Sequence, residues 1–559
     1  MNKKWKLKQN DDKRIAEISQ KFNLTYIVAQ KLAEKNLTDK DIEIFLNPTR
    51  KDFHNPFDLP DMDKAVDRIL KAMENKEKIV IYGDYDADGI TSTTILKRFF
   101  RDRGVEVGTY IPNRLNEGYG LNEEAIREIA SEGYNLMITV DCGITAVKEV
   151  ELAKSLGIDV VITDHHEVPE ELPKAVAVVD AKRKDNNYPF NGLAGCGVAF
   201  KLAQALSIKL NLNENEWLKY IDIACIGTIS DIVPLVDENR VIAKLGLMLV
   251  AVTKNIGLKT LINMIGVKKI DSSFISFGIS PRINACGRMG HQEAALNLFL
   301  TNDPIEARNL ANKLEEYNRQ RQTIEKNIYN EALELIEQEK DKPCIVIGKE
   351  GWHHGVIGIV SSKVTELTYK PSILVCFEGE DSKGSGRSIP GFDLHDAVYN
   401  CKDYLTACGG HSMAIGLSLK TKNFEPFKKA IIEYAKTKNI ENLEPELLID
   451  EEINSSDIDI SGIDKISLLE PFGESNNMPV ILYKNLKIIS IRTLSEGKHL
   501  KLVLLDGNTY IDVVGFSMGD LAEKYQIGDK VDVVGNISVN RYKDFENVQI
   551  TLKDMRTSI

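Results

Sequence analysis

Three aspartates stand at alternate positions in Asp84-Tyr85-Asp86-Ala87-Asp88-Gly89, directly behind the apolar run Ile79-Val80-Ile81-Tyr82. The pattern recurs along the chain. Asp141 follows Leu136 to Val140, Asp164-His165-His166 follows Val160 to Thr163, and Asp231 follows Cys225 to Ser230. A carboxylate is costly to bury unless it is paired or holds a cation. Several converging at the ends of apolar segments imply strong positive charge between them, and the economical reading is a two-metal site. Two clamped divalent ions are a recurrent solution for hydrolysing phosphodiesters.

Each motif has a blander reading. Asp84 to Gly89 resembles the start of an EF-hand loop, but the twelfth position is Ile95, where a bidentate Glu is needed, and a strand-like run precedes it. A helix cap would need one aspartate, and three exceed that requirement. Asp141 alone reads more readily as a turn or cap residue, and Asp231 alone is ambiguous, so both gain weight only from their company. Adjacent histidines in an alternating backbone point to opposite sides, so one of His165 and His166 is expected to ligate metal while the other orients a ligand or touches phosphate.

Further along, Ser280 to Gly290 places Arg282 and Arg288 in what reads as a Gly-containing loop, either as surface arginines or as a clamp on phosphate. Gly384-Ser385-Gly386-Arg387-Ser388 combines hydroxyls, a guanidinium and accessible backbone N–H groups, and Cys408-Gly409-Gly410-His411-Ser412 follows it. Glycines let a phosphate or sugar approach the backbone closely, so the two motifs together suggest a phosphate-binding wall facing the metals. Gly351-Trp352-His353-His354-Gly355 reads as structural or substrate-lining, because no carboxylate cluster accompanies it. Arg114 and Tyr119 read either as a base-stacking pair or as a packed turn.

The elements that must position these residues are visible as alternating patterns. From Lys78 to Ala181, strand-like runs alternate with helical ones, which argues for a parallel sheet. In such sheets ligands gather outside the carboxyl ends of the strands, at a topological switch point. Asp303-Pro304 supplies a cap and a first-turn proline for a long helix running to about Gln338. A second α/β unit opens at Cys344, and short alternating runs from about Leu447 read as an OB-fold barrel. The expected class is α/β, with an N-terminal helical preface at 1–55, a parallel-sheet domain at 56–300, the long connecting helix at 301–341, a second α/β domain at 342–440 and a barrel at 446–559.

Composition narrows the function classes. The chain has 559 residues, 43% hydrophobic and 28% charged, as in ordinary globular proteins. Its net charge of −12 opposes a generic nucleic-acid coat, though not a local basic channel. The eight cysteines form no CxxC pair, which argues against a zinc ribbon or a redox dithiol and fits a reducing, cytoplasmic compartment. No apolar stretch is long enough to span a bilayer, and the basic start has no apolar core of a signal peptide behind it.

Taken in order, these motifs resemble the DHH phosphoesterase superfamily, specifically its RecJ-type single-strand-specific exonucleases, over nearly all of the chain from Lys78 onward. The resemblance implies a DHH domain, a DHH-associated domain bearing the Gly-Gly-His motif, and an OB-fold. It implies two Mn²⁺ or Mg²⁺ ions held by Asp86, Asp88, Asp141, His165 and Asp231, with Asp84 and His166 close by and Asp164 completing the catalytic group. Imidazole ligation favours Mn²⁺. Arg282 would steady the scissile phosphate, Ser385 and Arg387 would receive a 5′-phosphate, and Arg114, Tyr119, Gly409, Gly410 and His411 would contact the nucleic acid.

The implied reaction is 5′-to-3′ removal of nucleotides from single-stranded DNA, in repair and recombination. Candidate partners are a helicase and a single-strand-binding protein; no membrane is expected, and the chain is expected to be a monomer. Two departures stand out. Asp180-Ala181-Lys182 occupies a place where relatives often carry Asn-Pro, and Arg541-Tyr542 replaces a Trp-Asn-Gly type sequence in the barrel, which with Lys530, Lys543 and Phe545 still offers cations and rings for DNA. The chain is also expected to end after the barrel, without the further domain of some longer relatives. A short-oligonucleotide or cyclic-dinucleotide phosphodiesterase is the alternative enzyme, opposed by the added barrel. A non-catalytic replication-fork scaffold is the alternative from another class, opposed by the complete ligand set.

Overall fold

The computed structural model describes residues 3–267, 269–440, 443–542 and 545–558. The chain divides into two compact units, one formed by 53–233 and 245–443, the other by 1–52, 234–244 and 444–559.

The first unit contains a five-stranded, wholly parallel sheet. Its strands are β1 (Ile79–Tyr82), β2 (Val107–Tyr110), β3 (Leu136–Val140), β4 (Asp159–Thr163) and β5 (Ala177–Val179), in the order β2-β1-β3-β4-β5. β1, β3 and β5 are buried throughout, as expected for strands covered on both faces. The strand order reverses between β1 and β3, so the crevice beyond their carboxyl ends is the switch point at which ligands bind in open α/β sheets. Asp84 and Asp141 stand directly beyond those two ends.

The long helix spans Pro304–Ile336, capped by Asp303, whose side chain accepts from the Ile305 N–H. Its apolar face continues into the core of a second sheet, where Ile328, Ala332 and Ile336 pack with Ile345, Val356, Val360 and Leu374. That sheet comprises β6 (Ile345–Glu350), β7 (Ser372–Glu378), β8 (Asp381–Arg387), β9 (Ala407–His411) and β10 (Ala414–Lys420), in the order β9-β10-β8-β7-β6. Only β6 and β7 pair in parallel.

In the second unit, strands Ile481–Leu494, His499–Asp506, Thr509–Gly515, Phe545–Thr557 and Lys530–Tyr542 pair successively, and the last closes onto the first. This five-stranded closed barrel is consistent with an OB-fold. The N-terminal stretch, expected as a helical preface, opens instead on a strand, Lys4–Leu7, which pairs with Glu446–Ile449. Its helices share the barrel's core, with Ile15, Val28, Leu32 and Ile42 among Leu469, Tyr483 and Leu486. That partnership spans more than four hundred residues of sequence and has no local signature. Arg541, expected to contact DNA, is ion-paired with Asp464 and Glu546. Lys543 lies outside the described residues, as do the side chains of Tyr542 and Phe545.

Candidate active site

Asp86 caps the helix Ala87–Arg101, its Oδ1 accepting from the N–H groups of Asp88 and Gly89 at 2.9 and 3.1 Å. The cap reading of this motif is therefore true of Asp86, and the other two aspartates have different work. Asp88 is held from across the fold: its Oδ2 accepts from the Gly195 N–H at 2.7 Å and its Oδ1 from the Cys196 N–H at 2.8 Å. Those amides are the first of the helix Gly195–Lys209. Helix N-termini carry unsatisfied N–H groups and a partial positive charge, so a carboxylate is stabilised there.

Asp141 adopts a left-handed backbone, φ +60°, at the end of β3. Its Oδ1 is buried and has no hydrogen-bond partner among the described residues, although the His165 Nε2 lies 3.0 Å away. His165 Nε2 also lies 3.8 Å from both Asp88 Oδ2 and Asp231 Oδ2. Asp84 Oδ1 is likewise buried without a partner. Three triads have donor atoms close enough to share an ion: Asp84, Asp86 and Asp141; Asp88, His165 and Asp231; and Asp141, His165 and His166. Every sequence-derived metal residue falls in one of them.

The electrostatics call for a cation. Burial, and then Asp86, hold the Asp84 carboxyl well above the usual carboxylate range. Burial followed by Asp88, Asp86 and Asp84 does the same to Asp141. Asp231 is pushed up to about 9 by burial, Asp88 and Asp86. His165, by contrast, is pushed down by burial, which favours the neutral ring that ligates metal. Oxygen and imidazole donors in this mixture suit Mn²⁺ or Mg²⁺, and the orphaned Asp84 and Asp141 oxygens fit such an ion.

Asp164 is a positioning residue. Its Oδ1 accepts from the backbone N–H of His165 at 2.7 Å and of His166 at 3.2 Å, and meets His166 Nδ1 at 2.7 Å; its Oδ2 accepts from the Ile144 N–H at 2.9 Å. Burial alone would raise it, but the His166 contact wins and holds it below the usual range. The same contact outweighs burial at His166 and raises it. Tyr119 Oη reaches the His166 ring at 3.2 Å and Arg114 lies over the Tyr85 ring at 5.0 Å.

A cavity of about 840 Å³ adjoins these groups, lined by Tyr85, Arg114, Tyr119, Asp164, His166 and Arg288 on one side and by Lys383, Ser385, Arg387, Gly409, Gly410 and His411 on the other. The phosphate-ready segment Gly384 to Ser388 is mostly strand β8. Side chains alternate along a strand. Gly384 and Gly386 turn into the core, where a Cβ would come within 2.7 Å of Leu417 and 2.9 Å of Leu394, while Ser385 and Arg387 line the cavity. The Arg387 guanidinium donates to Ser385 Oγ at 3.2 Å.

The segment around Arg282, expected as a loop, is the helix Ser280–Arg288, because proline at a first helical turn forfeits no hydrogen bond. Arg282 is paired with Glu315 at 2.7 Å and donates to the Gly278 carbonyl at 2.6 Å, so its guanidinium is engaged within its own neighbourhood. Arg288 lines the cavity instead. Burial and the neighbouring Arg114, Arg321 and Arg387 push it down to about 9. Burial and then Arg114 push Arg387 down as well. Like charges crowded this way are relieved by an anion. Asp231, finally, caps the helix Ile221–Ser230 rather than ending a strand. Sequence reasoning missed Gly195, Cys196 and Asn284, whose Oδ1 accepts from the Ala87 N–H at 2.9 Å. The Gly195-Cys196-Gly197 start of a helix was the available signal for the first two.

Comparison with known proteins accords with this geometry. The chain matches the DHH family N-terminal domain over residues 78–228, the DHHA1 domain over 341–437 and the RecJ OB domain over 449–554. It is 38% identical over 563 aligned residues to the single-stranded-DNA-specific exonuclease RecJ of Bacillus subtilis, covering 99% of this chain and 71% of that one. To the protein of the same name from Escherichia coli it is 31% identical, covering 89% of this chain and 90% of that one. The crystal structure of RecJ in complex with Mn²⁺ from Thermus thermophilus superposes with a TM-score of 0.86 at 29% identity, over 100% of this chain and 80% of that one. The Mg²⁺ complex gives 0.79 at 28% identity, over 100% of this chain and 79% of that one.

Proposed function

The chain belongs to the RecJ family of single-stranded-DNA-specific exonucleases, and from that premise we propose that it removes nucleotides from the 5′ end of single-stranded DNA by metal-dependent hydrolysis. One observation carries the reading: a cluster of carboxylates that calls for cations adjoins, through His166, a cavity lined by crowded guanidiniums that call for an anion. A phosphodiester held there would satisfy both.

Asp84, Asp86, Asp88, Asp141, His165 and Asp231 would hold two divalent ions, Mn²⁺ in preference to Mg²⁺ given the imidazole donor. When bound, the ions supply an activated water and neutralise the charge that develops during in-line displacement at phosphorus. The remaining work belongs to the chain. Asp164 fixes the His165-His166 backbone, so that His165 presents Nε2 to Asp88, Asp141 and Asp231. His166, held by its contact with Asp164, lines the cavity, and Tyr119 steadies its ring. Arg288 and Arg387 neutralise phosphate charge, and Ser385 with Arg387 receives the 5′-terminal phosphate. Arg282 supports the Ser280–Arg288 helix through Glu315.

Among the described residues no helix is long and apolar enough to cross a membrane. A cytoplasmic monomer, working with a helicase and a single-strand-binding protein in repair and recombination, completes the proposal. The test is digestion of 5′-labelled and 3′-labelled single strands with Mn²⁺ and with EDTA. Mononucleotide should be released first from the 5′ label, and EDTA should abolish it. Release from the 3′ label first would overturn the polarity.

A further inference from the structure

Away from the catalytic residues, the barrel unit carries a groove of about 280 Å³ between the N-terminal helix Tyr26–Ala33 and the short strand Glu451–Ile453. Its floor is aliphatic: Ile27, Ile453, Ile463, Ile466, Ile481 and Ile537. Its rim is acidic, with Glu451, Glu452, Asp457 and Asp459. Among the described residues only Glu452 of these four has an ion pair, with Lys484 at 2.8 Å. The carboxylates feel one another: burial and then Asp457, Asp12, Asp450 and Glu452 raise Glu451. At the mouth, Tyr26 is 41% exposed and donates to Asp12 at 2.7 Å.

We propose that this groove docks a segment of a partner protein that inserts one or two aliphatic side chains and flanks them with lysines or arginines. The charge selects the occupant. Single-stranded DNA and acidic protein tails would be repelled by the rim. A metal ion would find no ligands on the isoleucine floor. A basic segment would pair with Glu451, Asp457 and Asp459, which make no ion pair among the described residues, and its anchors fill space that neighbouring side chains leave open, which is the usual anatomy of an energetic anchor inside a polar rim. The groove shares no lining residue with the nuclease cavity.

Fluorescence polarisation with the full chain, saturated with Mn²⁺, tests this with three labelled ten-residue peptides: alternating Lys and Ile, alternating Glu and Ile, and alternating Lys and Ser. The Lys/Ile peptide should bind about tenfold more tightly than either other probe. Charge reversal by Glu451→Lys with Glu452→Lys should weaken it by a similar factor, and Ile27→Asn should do so through the floor. Both variants should keep the parent's circular dichroism and its cleavage of short oligonucleotides, since neither touches the catalytic residues. Equal binding of all three peptides would overturn the proposal, and so would Lys/Ile binding that survives both variants.

Discussion

A single methyl group at Gly195 should disable the metal site without unfolding the protein. Built on this backbone, the Cβ of Gly195→Ala would lie 2.5 Å from Asp141 Oδ1 and 2.6 Å from Asp141 Cβ. Ordinary contact begins near 3.4 Å, so the Asp141 carboxylate must retreat by about 1 Å. A misplacement of that size in a reacting assembly costs on the order of 10²-fold, or about 2.7 kcal/mol of barrier. The Gly195 N–H that holds Asp88 survives the substitution, and alanine is a better helix former than glycine by up to about 1 kcal/mol. Global stability should therefore hold while turnover falls. Single-turnover cleavage of a labelled single strand, measured across a Mn²⁺ titration, would show a lower plateau and a higher half-saturating concentration. Parent-like turnover and Mn²⁺ dependence in a folded Gly195→Ala protein would refute the assignment of Asp141 as a ligand whose carboxylate needs the room that Gly195 leaves.

Other expectations follow from neighbouring features. Arg387→Ala should slow digestion of 5′-phosphorylated strands more than of 5′-hydroxyl strands, by roughly tenfold for a lost charge-assisted contact; equal losses on both would make Arg387 a general backbone contact. Asp180 is buried, with Oδ2 unpartnered, and burial pushes it up to about 7. A carboxyl raised in the folded state contributes stability that is present below about pH 3.9 and lost as pH rises through about 7. Asp180→Asn should thus raise the melting temperature more at pH 8 than at pH 5, and a gap that did not widen with pH would count against this. A chain ended near Leu443 would leave Ile15, Val28, Leu32 and Ile42 without the barrel residues they pack on; it should melt lower and aggregate, as light scattering during a thermal ramp would show.

How much of this was legible in the residues varies with the range of the interaction. The parallel sheet was, because Ile79–Tyr82 and Leu136–Val140 are short apolar runs set between helical patterns, and the acids behind them fall where strand ends must lie. Most of the acidic cluster was legible for the same reason, Asp231 at a helix end being the exception. The helix through Pro281 and the strand through Gly384 and Gly386 were not, since proline and glycine signal turns locally and only packing shows where they are tolerated. The Gly195 and Cys196 amides that grip Asp88 come from more than one hundred residues away, and no local pattern ties them to it. The pairing of Lys4–Leu7 with Glu446–Ile449 was hidden likewise. Arg282 and Arg288 share one motif, and only the burial and partners of each distinguish the residue paired with Glu315 from the one lining the cavity.

The central claim is that the acidic cluster holds two ions, and anomalous diffraction from crystals grown with Mn²⁺ measures that directly. Two peaks are predicted, one among Asp84, Asp86 and Asp141 and one among Asp88, His165 and Asp231, both absent after EDTA. A crystal saturated with Mn²⁺ that showed no peak at these residues, or a single peak elsewhere, would contradict the account.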